Sequence, residues 1–401
     1  MKDTNPSRWH ISIGTYLASF TFGLSLQSLP PVLPILIQDL DLTHAEAGLT
    51  MSAFALPMVF FSIPVGMLAD RQGPRRVGLT AFVVIILGNI LAAVSPAFPV
   101  LLAGRALAGM GAFALALISP QLISQRFLGR ELGLAMGIWN TAFPIATILS
   151  LTTMGTVGQV LGWRSPLFIA AAAAAVCLIV FWLTTSSVSA PKEPPQTKVS
   201  FSSRIAGAGA PVWFVGAAWL FFNASTLSFM TFGPDYFQSR GQSAAEAGVM
   251  SSIMLWGFVL APAVGMLLDR GVRPEALIAL GSLGLTIALV VLPLAPTLVV
   301  PILLLGAVVN SLIVVSVFAL PSTLLRPGLL GLGYGILGTC LNLGTTLGPL
   351  VVGAAIDVTG AYTASLWAMA LLALLAAGAI TPMIVWRRPA PGLGAAQERV
   401  P

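Results

Sequence analysis

The sequence predicts an all-α membrane protein, with twelve transmembrane helices arranged as two six-helix pseudo-repeats. Three observations carry this. The chain has 401 residues, of which 57% are hydrophobic and only 8% charged, whereas a soluble chain has about 25% charged residues. Its apolar runs are long and evenly punctuated. Its first half is echoed in its second at a spacing near 200 residues. So few charges cannot cover a water-exposed surface, which excludes a soluble enzyme, a nucleic-acid binder and a disordered chain. Each spanning helix needs about 20 apolar residues, and the length accommodates twelve with short connections.

The twelve spans read 11–37, 45–69, 77–95, 98–124, 133–160, 166–183, 212–236, 246–268, 275–293, 298–324, 331–356 and 363–386. The first follows Lys2 and Arg8 as an export signal would. At 11–37 it outruns the 7–15 residues of a signal h-region, so it reads as a retained helix. Pro30, Pro31 and Pro34 should kink it, as buried membrane helices tolerate. Between the sixth and seventh spans lies the one long polar stretch, rich in Ser, Pro and Gly. The expected organisation is therefore a six-helix bundle over 1–183, a cytoplasmic linker over 184–210, a second bundle over 211–388 and a cytoplasmic tail over 389–401.

Orientation follows from the basic residues. With the N-terminus inside, sixteen of nineteen fall on the cytoplasmic side: Lys2, Arg8, Arg71, Arg75, Arg76, Arg126, Arg130, Lys192, Lys198, Arg204, Arg270, Arg273, Arg326, Arg387, Arg388 and Arg399. Arg164 and Arg240 fall outside, and Arg105 lies within a span. This is the positive-inside pattern, and it accounts for the net charge of +6 without nucleic acid. Both termini are expected in the cytoplasm of a bacterial inner membrane. Cys177 and Cys340 lie in separate apolar runs and suggest neither a disulfide nor a metal site.

The repeat is explicit. Gly66-Met67-Leu68-Ala69-Asp70-Arg71 returns as Gly265-Met266-Leu267-Leu268-Asp269-Arg270. Pro96 matches Pro296, Ser119-Pro120 matches Leu320-Pro321, and the Gly133–Gly137 pair matches Gly331–Gly335. A duplicated six-helix unit is the pattern of transporters whose halves rock about a central site.

The segment GMLADRQGPRR, Gly66 to Arg76, resembles the loop motif G-x-L-A-D-R-x-G-R-R of the major facilitator superfamily, with Pro74 in place of a basic residue. The second copy keeps Gly265, Asp269, Arg270 and Gly271, and Gly162-Trp163-Arg164 precedes the sixth span as in that family. RALAGMGA, from Arg105, resembles the family's R-x-x-Q-G-x-G-A, with Ala108 in place of Gln. The resemblance implies alternating-access transport by a monomer without cofactor. It implies a gate at the cytoplasmic face in which Gly66, Asp70, Arg71, Arg75, Gly265, Asp269 and Arg270 take part. There Asp70 would meet the start of the eleventh helix at Gly331-Leu332-Gly333, where a carboxylate suits a helix N-terminus. A weaker likeness, in Trp139-Asn140-Thr141 and Phe222-Asn223-Ala224, is to cyanate-type permeases.

Arg105 is the one charge placed well inside a span. An intramembrane Arg faces the bundle interior or a partner, because lipid exposure costs at least about 2.5 kcal/mol. Ala108, Gly109, Ala112 and Ala116 on its face should let a neighbouring helix pack closely. Two readings stand: Arg105 binds backbone carbonyls and serves the fold, or it neutralises a bound anion. The corresponding stretch of the tenth span, Leu303 to Leu305, carries no charge, which suggests the scaffold alone does not demand one. No Asp, Glu or His falls deep in a span, which argues against an organic-cation site and a carboxylate proton relay.

Polar residues at helical spacing complete the expected binding site: Tyr16 and Gln27 in the first span, Trp139 and Asn140 in the fifth, Asn223 in the seventh, Asn310 in the tenth and Asn342 in the eleventh. Each could equally be interhelical glue. Together with Arg105 they suit a small anion with some apolar body, and import is the expected direction. The alternatives are an exporter of neutral or amphipathic compounds and a membrane sensor without flux. Against drug export, GIWNTAFPIATIL lacks the glycines of the antiporter motif G-x-x-x-G-P-x-x-G-G. No HExxH, GxSxG or GxxxxGK[ST] motif suggests an enzyme or an ATP-driven pump.

Overall fold

The computed structural model describes residues 7–127, 132–185, 209–325 and 330–385. Arg130, Arg326, most of the expected linker (186–208) and the expected tail lie outside the described residues.

The described chain is helical and follows the expected spans closely. Helix α1 runs over Ser7–Leu26, passes through a 3-10 turn at Pro30–Val32 and resumes as Leu33–Leu40. Then come α2 (His44–Gln72), α3 (Pro74–Ala93), α4 (Phe98–Arg126), α5 (Leu132–Leu161) and α6 (Ser165–Thr184). The second half opens with α7 (Gly209–Ser239). Helix α8 is an α–3-10–α composite over Ala244–Ser252, Ile253–Leu260 and Ala261–Asp269. It ends with α9 (Pro274–Val291), α10 (Val299–Leu324), α11 (Leu330–Thr359) and α12 (Tyr362–Val385). Eleven helices among the described residues are long and apolar enough to cross a membrane. The twelfth, α2, is 29 residues long, with no charge between Ala47 and Ala69.

The two halves pack alike. In the first, α1 lies against α4, α5 and α6, and α3 against α4 and α6. In the second, α7 lies against α11 and α12, and α9 against α10 and α12. Small residues bring the helices together, as a lipid-embedded bundle requires. Gly88 abuts Ala108 and Gly104 abuts Ala92, with no room for a Cβ at either glycine. The turn between α2 and α3 needs φ 87° at Gly73, and that between α8 and α9 needs the same at Gly271. This left-handed conformation explains why both copies of the loop motif keep a glycine there.

The halves meet through α2 against α11 and α5 against α8. Among the described residues, the glycine contacts between the halves lie towards the end of the bundle remote from the chain termini, the far end. Gly48 abuts the Pro349 carbonyl, Gly353 the His44 carbonyl, and Gly248 the Leu151 carbonyl. Ser52 Oγ donates to the Thr346 carbonyl. Towards the terminal end, Gly335 and Gly338 of α11 have nothing within 4 Å of a Cβ position. The structure is therefore shut at the far end.

Candidate functional site

Helix α1 sets the local chemistry of the centre. In an unbroken helix the carbonyls of Leu26 and Gln27 would accept from residues 30 and 31. Both are proline and have no N–H. Two buried carbonyls are left without their helical donors, a state that membrane interiors do not tolerate. Arg105 of α4 supplies one donor, Nη2 to the Leu26 carbonyl at 3.1 Å, and Ser150 of α5 the other, Oγ to the Gln27 carbonyl at 2.7 Å.

Arg105 is 0% exposed and fully engaged in this conformation. Nη1 donates to the Ser25 carbonyl at 2.8 Å and to Ser28 Oγ at 3.4 Å. Nε reaches the Thr50 carbonyl at 3.4 Å, and Nη2 also meets Met51 Sδ at 3.7 Å. The guanidinium stands 4.4 Å from the centroid of the Phe54 ring. Its five N–H donors thus have five partners, on α1 and α2. Gly109, on the same face of α4, abuts the Phe54 carbonyl as the small-residue stripe suggested. The absence of a charge at Leu305 has a physical reason: α7 runs unbroken through 209–239, and Met230 and Thr231 stand where α1 has its proline pair.

The other expected binding residues divide. Gln27 is buried and crosses the halves, Nε2 to Met230 Sδ at 3.8 Å, with Oε1 unpartnered. Asn342 is buried with Oδ1 unpartnered, and half-buried Trp139 has Nε1 unpartnered. Tyr16 is half-buried and Asn140 exposed. Asn223 turns its amide onto its own helix, Nδ2 to the Trp219 carbonyl at 2.7 Å. Asn310 faces its own half, Nδ2 to the Met254 carbonyl at 3.2 Å, where α8 is 3-10. Two hydroxyls on the same inner faces, Thr147 of α5 and Thr226 of α7, also bury unpartnered oxygens. Apart from Asp235 Oδ2 at the far end of α7, the unmet polar groups on α1, α5, α7 and α11 are amides, hydroxyls and an indole.

At the expected gate, the surroundings of Gly66, Asp70, Arg71 and Asp269 lie outside the described residues. Arg75 ties the start of α3 to the end of α6, Nη2 to the Trp182 carbonyl at 3.3 Å. Arg270 is exposed, and open space surrounds Gly265, so that glycine makes no close helix contact in this conformation.

The far-end seam holds a cluster that no spacing in the sequence announces. His44, first residue of α2, meets Asp357 of α11, Asp235 of α7 and Tyr362 of α12. Asp357 Oδ1 accepts from the His44 backbone N–H at 2.8 Å and lies 3.1 Å from Nδ1. Oδ2 accepts from the Ala45 N–H at 2.7 Å. Asp357 therefore sits on the N-terminus of α2, where exposed N–H groups favour a carboxylate. Nε2 lies 3.1 Å from the Tyr362 hydroxyl and 3.5 Å from Asp235 Oδ2. Nearby, Gly162-Trp163-Arg164 grips the end of α1: Trp163 Nε1 donates to Asp39 Oδ2 at 2.7 Å, and Arg164 Nη1 lies 3.3 Å from the same oxygen.

The family model of the major facilitator superfamily matches residues 15–331 and 220–400. The chain belongs to the major facilitator superfamily. That family is one of transporters rather than enzymes, as the loop motif implied. Among curated relatives, it is 28% identical over 161 residues to the purine ribonucleoside efflux pump NepI of Escherichia coli O127:H6, covering 40% of each chain. It is 24% identical over 270 residues to the hexuronate transporter of Bacillus subtilis strain 168, covering 63% of each. It is 28% identical over 152 residues to the quinolone resistance protein NorB of Staphylococcus aureus strain JH9, covering 38% of this chain and 33% of that one. The chain spans less than two thirds of the length of these relatives. Two solved structures share the fold. A bacterial homologue of the human lysosomal transporter Spinster, in an inward-facing, unoccupied conformation, has a TM-score of 0.76 at 16% identity, covering 95% of this chain and 96% of that one. The nucleoside transporter NupG has a TM-score of 0.73 at 17% identity, covering 95% and 100%.

Proposed function

We propose that this superfamily member carries a small, uncharged, polar solute with a ring, held between α1, α5, α7 and α11. The supporting observation is the contrast between Arg105, whose five donors are taken by α1 and α2, and five unmet side chains on α1, α5, α7 and α11, which are uncharged. Gln27 Oε1, Thr147 Oγ1, Thr226 Oγ1, Asn342 Oδ1 and Trp139 Nε1 are buried without partners. Each such group costs about 1–3 kcal/mol if left dry, so a solute bringing its own donors and acceptors gains by meeting them. A nucleoside has that chemistry, and it is the solute in the names of NepI and NupG. The anionic solute expected from Arg105 is a second reading. It draws support from the 270-residue match to the hexuronate transporter. It requires the guanidinium to release part of α1.

The cycle we infer rocks the half at 1–183 against the half at 211–388. Among the described residues, Arg8, Arg71, Arg75, Arg76, Arg126, Arg270 and Arg273 sit at the terminal end, and Arg164 and Arg240 at the far end. By the positive-inside rule the terminal end is cytoplasmic, and this conformation faces inward. When the far end opens, Gly66, Asp70, Arg71, Arg75, Gly265, Asp269 and Arg270 would come together to shut the cytoplasmic end.

Thermal stabilisation of the purified protein tests the solute class, with a purine nucleoside, a hexuronate and a quinolone as probes. At about 100 times its dissociation constant a true ligand adds about 2.7 kcal/mol. The nucleoside should stabilise wild type and lose its effect in Asn342→Ala. Stabilisation by hexuronate alone would replace this reading with the anionic one. Flux from either face of proteoliposomes decides between import, expected from sequence, and export.

A further inference from the structure

The transport reading leaves one titratable cluster unused: His44 with Asp235, Asp357 and Tyr362 across the far-end seam. The hydrogen-bond geometry favours one arrangement of its protons. Nδ1, 3.1 Å from Asp357 Oδ1, faces an acceptor and must donate. The Tyr362 hydroxyl donates to Asp235 Oδ1 at 3.2 Å, so its oxygen is free to accept from Nε2 at 3.1 Å. Asp235 Oδ2, buried and otherwise unpartnered, stands 3.5 Å from the same nitrogen. With the Tyr362 proton on Asp235, both ring nitrogens face acceptors, an arrangement that the imidazolium satisfies at both. On its own helix, the nearby carboxylate of Glu46 is turned back onto Thr43, whose N–H it accepts at 2.9 Å. From α7, α11 and α12 the titratable groups facing His44 are Asp235, Asp357 and Tyr362.

We propose that His44 is a proton-binding site whose occupancy sets whether the far end of the transporter is shut. The proposal rests on the alternating-access reading of the fold. In the shut state His44, on the first half, is surrounded by two carboxylates and a phenol, all from the second half. Opening pulls α2 away from α7, α11 and α12, and the imidazole returns to water. Asp235 beside Nε2 holds the His44 pKa above its ordinary value in the shut state, desolvation opposing and Asp357 adding to the rise. Opening removes those partners and lets the value fall back towards about 6.5. A group that binds its proton more tightly in one state stabilises that state as pH falls. Acid therefore favours the shut far end, and the preference fades as pH rises through the raised value. His44 keeps 21% of its side chain exposed, so the proton comes from and returns to the medium at the far end. No proton needs to cross the membrane for this to operate.

Spin labels at Gln38→Cys and Ala245→Cys, one on each side of the seam, report the equilibrium by pulsed distance measurements. The background carries Cys177→Ala and Cys340→Ala, and no solute is present. Wild type should give a single short distance at pH 5.5 and gain a longer one towards pH 9, with a midpoint above 6.5. His44→Gln should lose the pH response, and Asp235→Asn should move the midpoint to lower pH. A wild-type distribution unchanged between pH 5.5 and 9, or a His44→Gln variant titrating like wild type, overturns the proposal. Hydrogen exchange of the 43–50 segment in unlabelled protein repeats the test if the labels disturb folding, since Asp357 holds the amides of His44 and Ala45. Because no solute enters, failure here leaves the transport reading intact, and failure of the flux assay leaves this result standing.

Discussion

At the far end, the α2/α11 seam and the α8/α5 seam are made from the same parts. Thr43-His44-Ala45-Glu46-Ala47-Gly48 opens α2, and Ser243-Ala244-Ala245-Glu246-Ala247-Gly248 opens α8. Both starts carry a complete capping box. Gly48 and Gly248 each abut a carbonyl of the opposite half, and Gly353 and Gly155 each face the residue that opens the helix opposite. The seams differ in charge. Where one has His44 against Asp357, the other has Ala244, and Gln159, four residues after Gly155 as Asp357 is after Gly353, is exposed. A second divergence lies deeper: α1 is broken by Pro30-Pro31 and served by Arg105, whereas α7 is unbroken and faces no such cation. Shared parts build the scaffold. Among the parts found in one copy only are a broken helix with its cation, and a titratable clasp.

The largest effect should come from the deeper divergence. Arg105→Ala leaves the Leu26 carbonyl without a donor and weakens the hold on Ser25 and Thr50, a loss of about 3 kcal/mol or more. Thermal unfolding in detergent should show it directly. If proline is the cause, Pro30→Ala restores an N–H opposite Leu26 and should recover part of the loss when combined with Arg105→Ala. A double variant no better than Arg105→Ala alone would break the link between the cation and the helix break.

That link was half legible in the sequence. The spans, the repeat and the loop motif follow from composition and spacing, because lipid imposes a length and an apolarity on every helix. Pro30 and Pro31 announce a kink, and counting back four residues marks Leu26 and Gln27 as carbonyls in need. What the sequence did not show is that Arg105 is the residue that answers them. The His44 cluster was less legible still, because His44 lies 191 and more residues from its partners. Asp235 and Asp357 fall at or beyond the outer ends of their spans, yet Asp235 is 3% exposed.

The shared close contacts should respond alike. Gly48→Leu and Gly248→Leu each drive a side chain into a backbone carbonyl of the other half, an overpacking cost of about 1–3 kcal/mol. Because the strain exists only when the far end is shut, both variants should shift the spin-label distances towards the open state. A shift in one alone would mean that the seams carry unequal load.

The clasp should separate the seams by pH. Bonds from the His44 imidazolium to its carboxylates are worth about 2 kcal/mol when the proton is present. Their contribution is complete below the ordinary His value and is lost as pH rises through the raised one. The stability difference between wild type and His44→Gln should therefore be larger at pH 6 than at pH 9. A difference that grows with pH would reverse the sign and refute the imidazolium assignment.

The smallest effect is the internal control. Thr43 Oγ1 accepts from the Glu46 N–H at 3.1 Å, and Ser243 Oγ from the Glu246 N–H at 3.3 Å, so each cap has the same geometry in its own half. Replacing either with alanine should cost about 1 kcal/mol. Neither loss should vary with pH between 6 and 9, since the bond lost in each is a backbone N–H donating to a hydroxyl oxygen. Thr43→Ala, however, also lies beside the clasp. If its cost exceeds that of Ser243→Ala at pH 6 and matches it at pH 9, then the cap and the imidazolium are coupled through the first turn of α2. Equal costs at both pH values would confine the pH response to the His44 side chain.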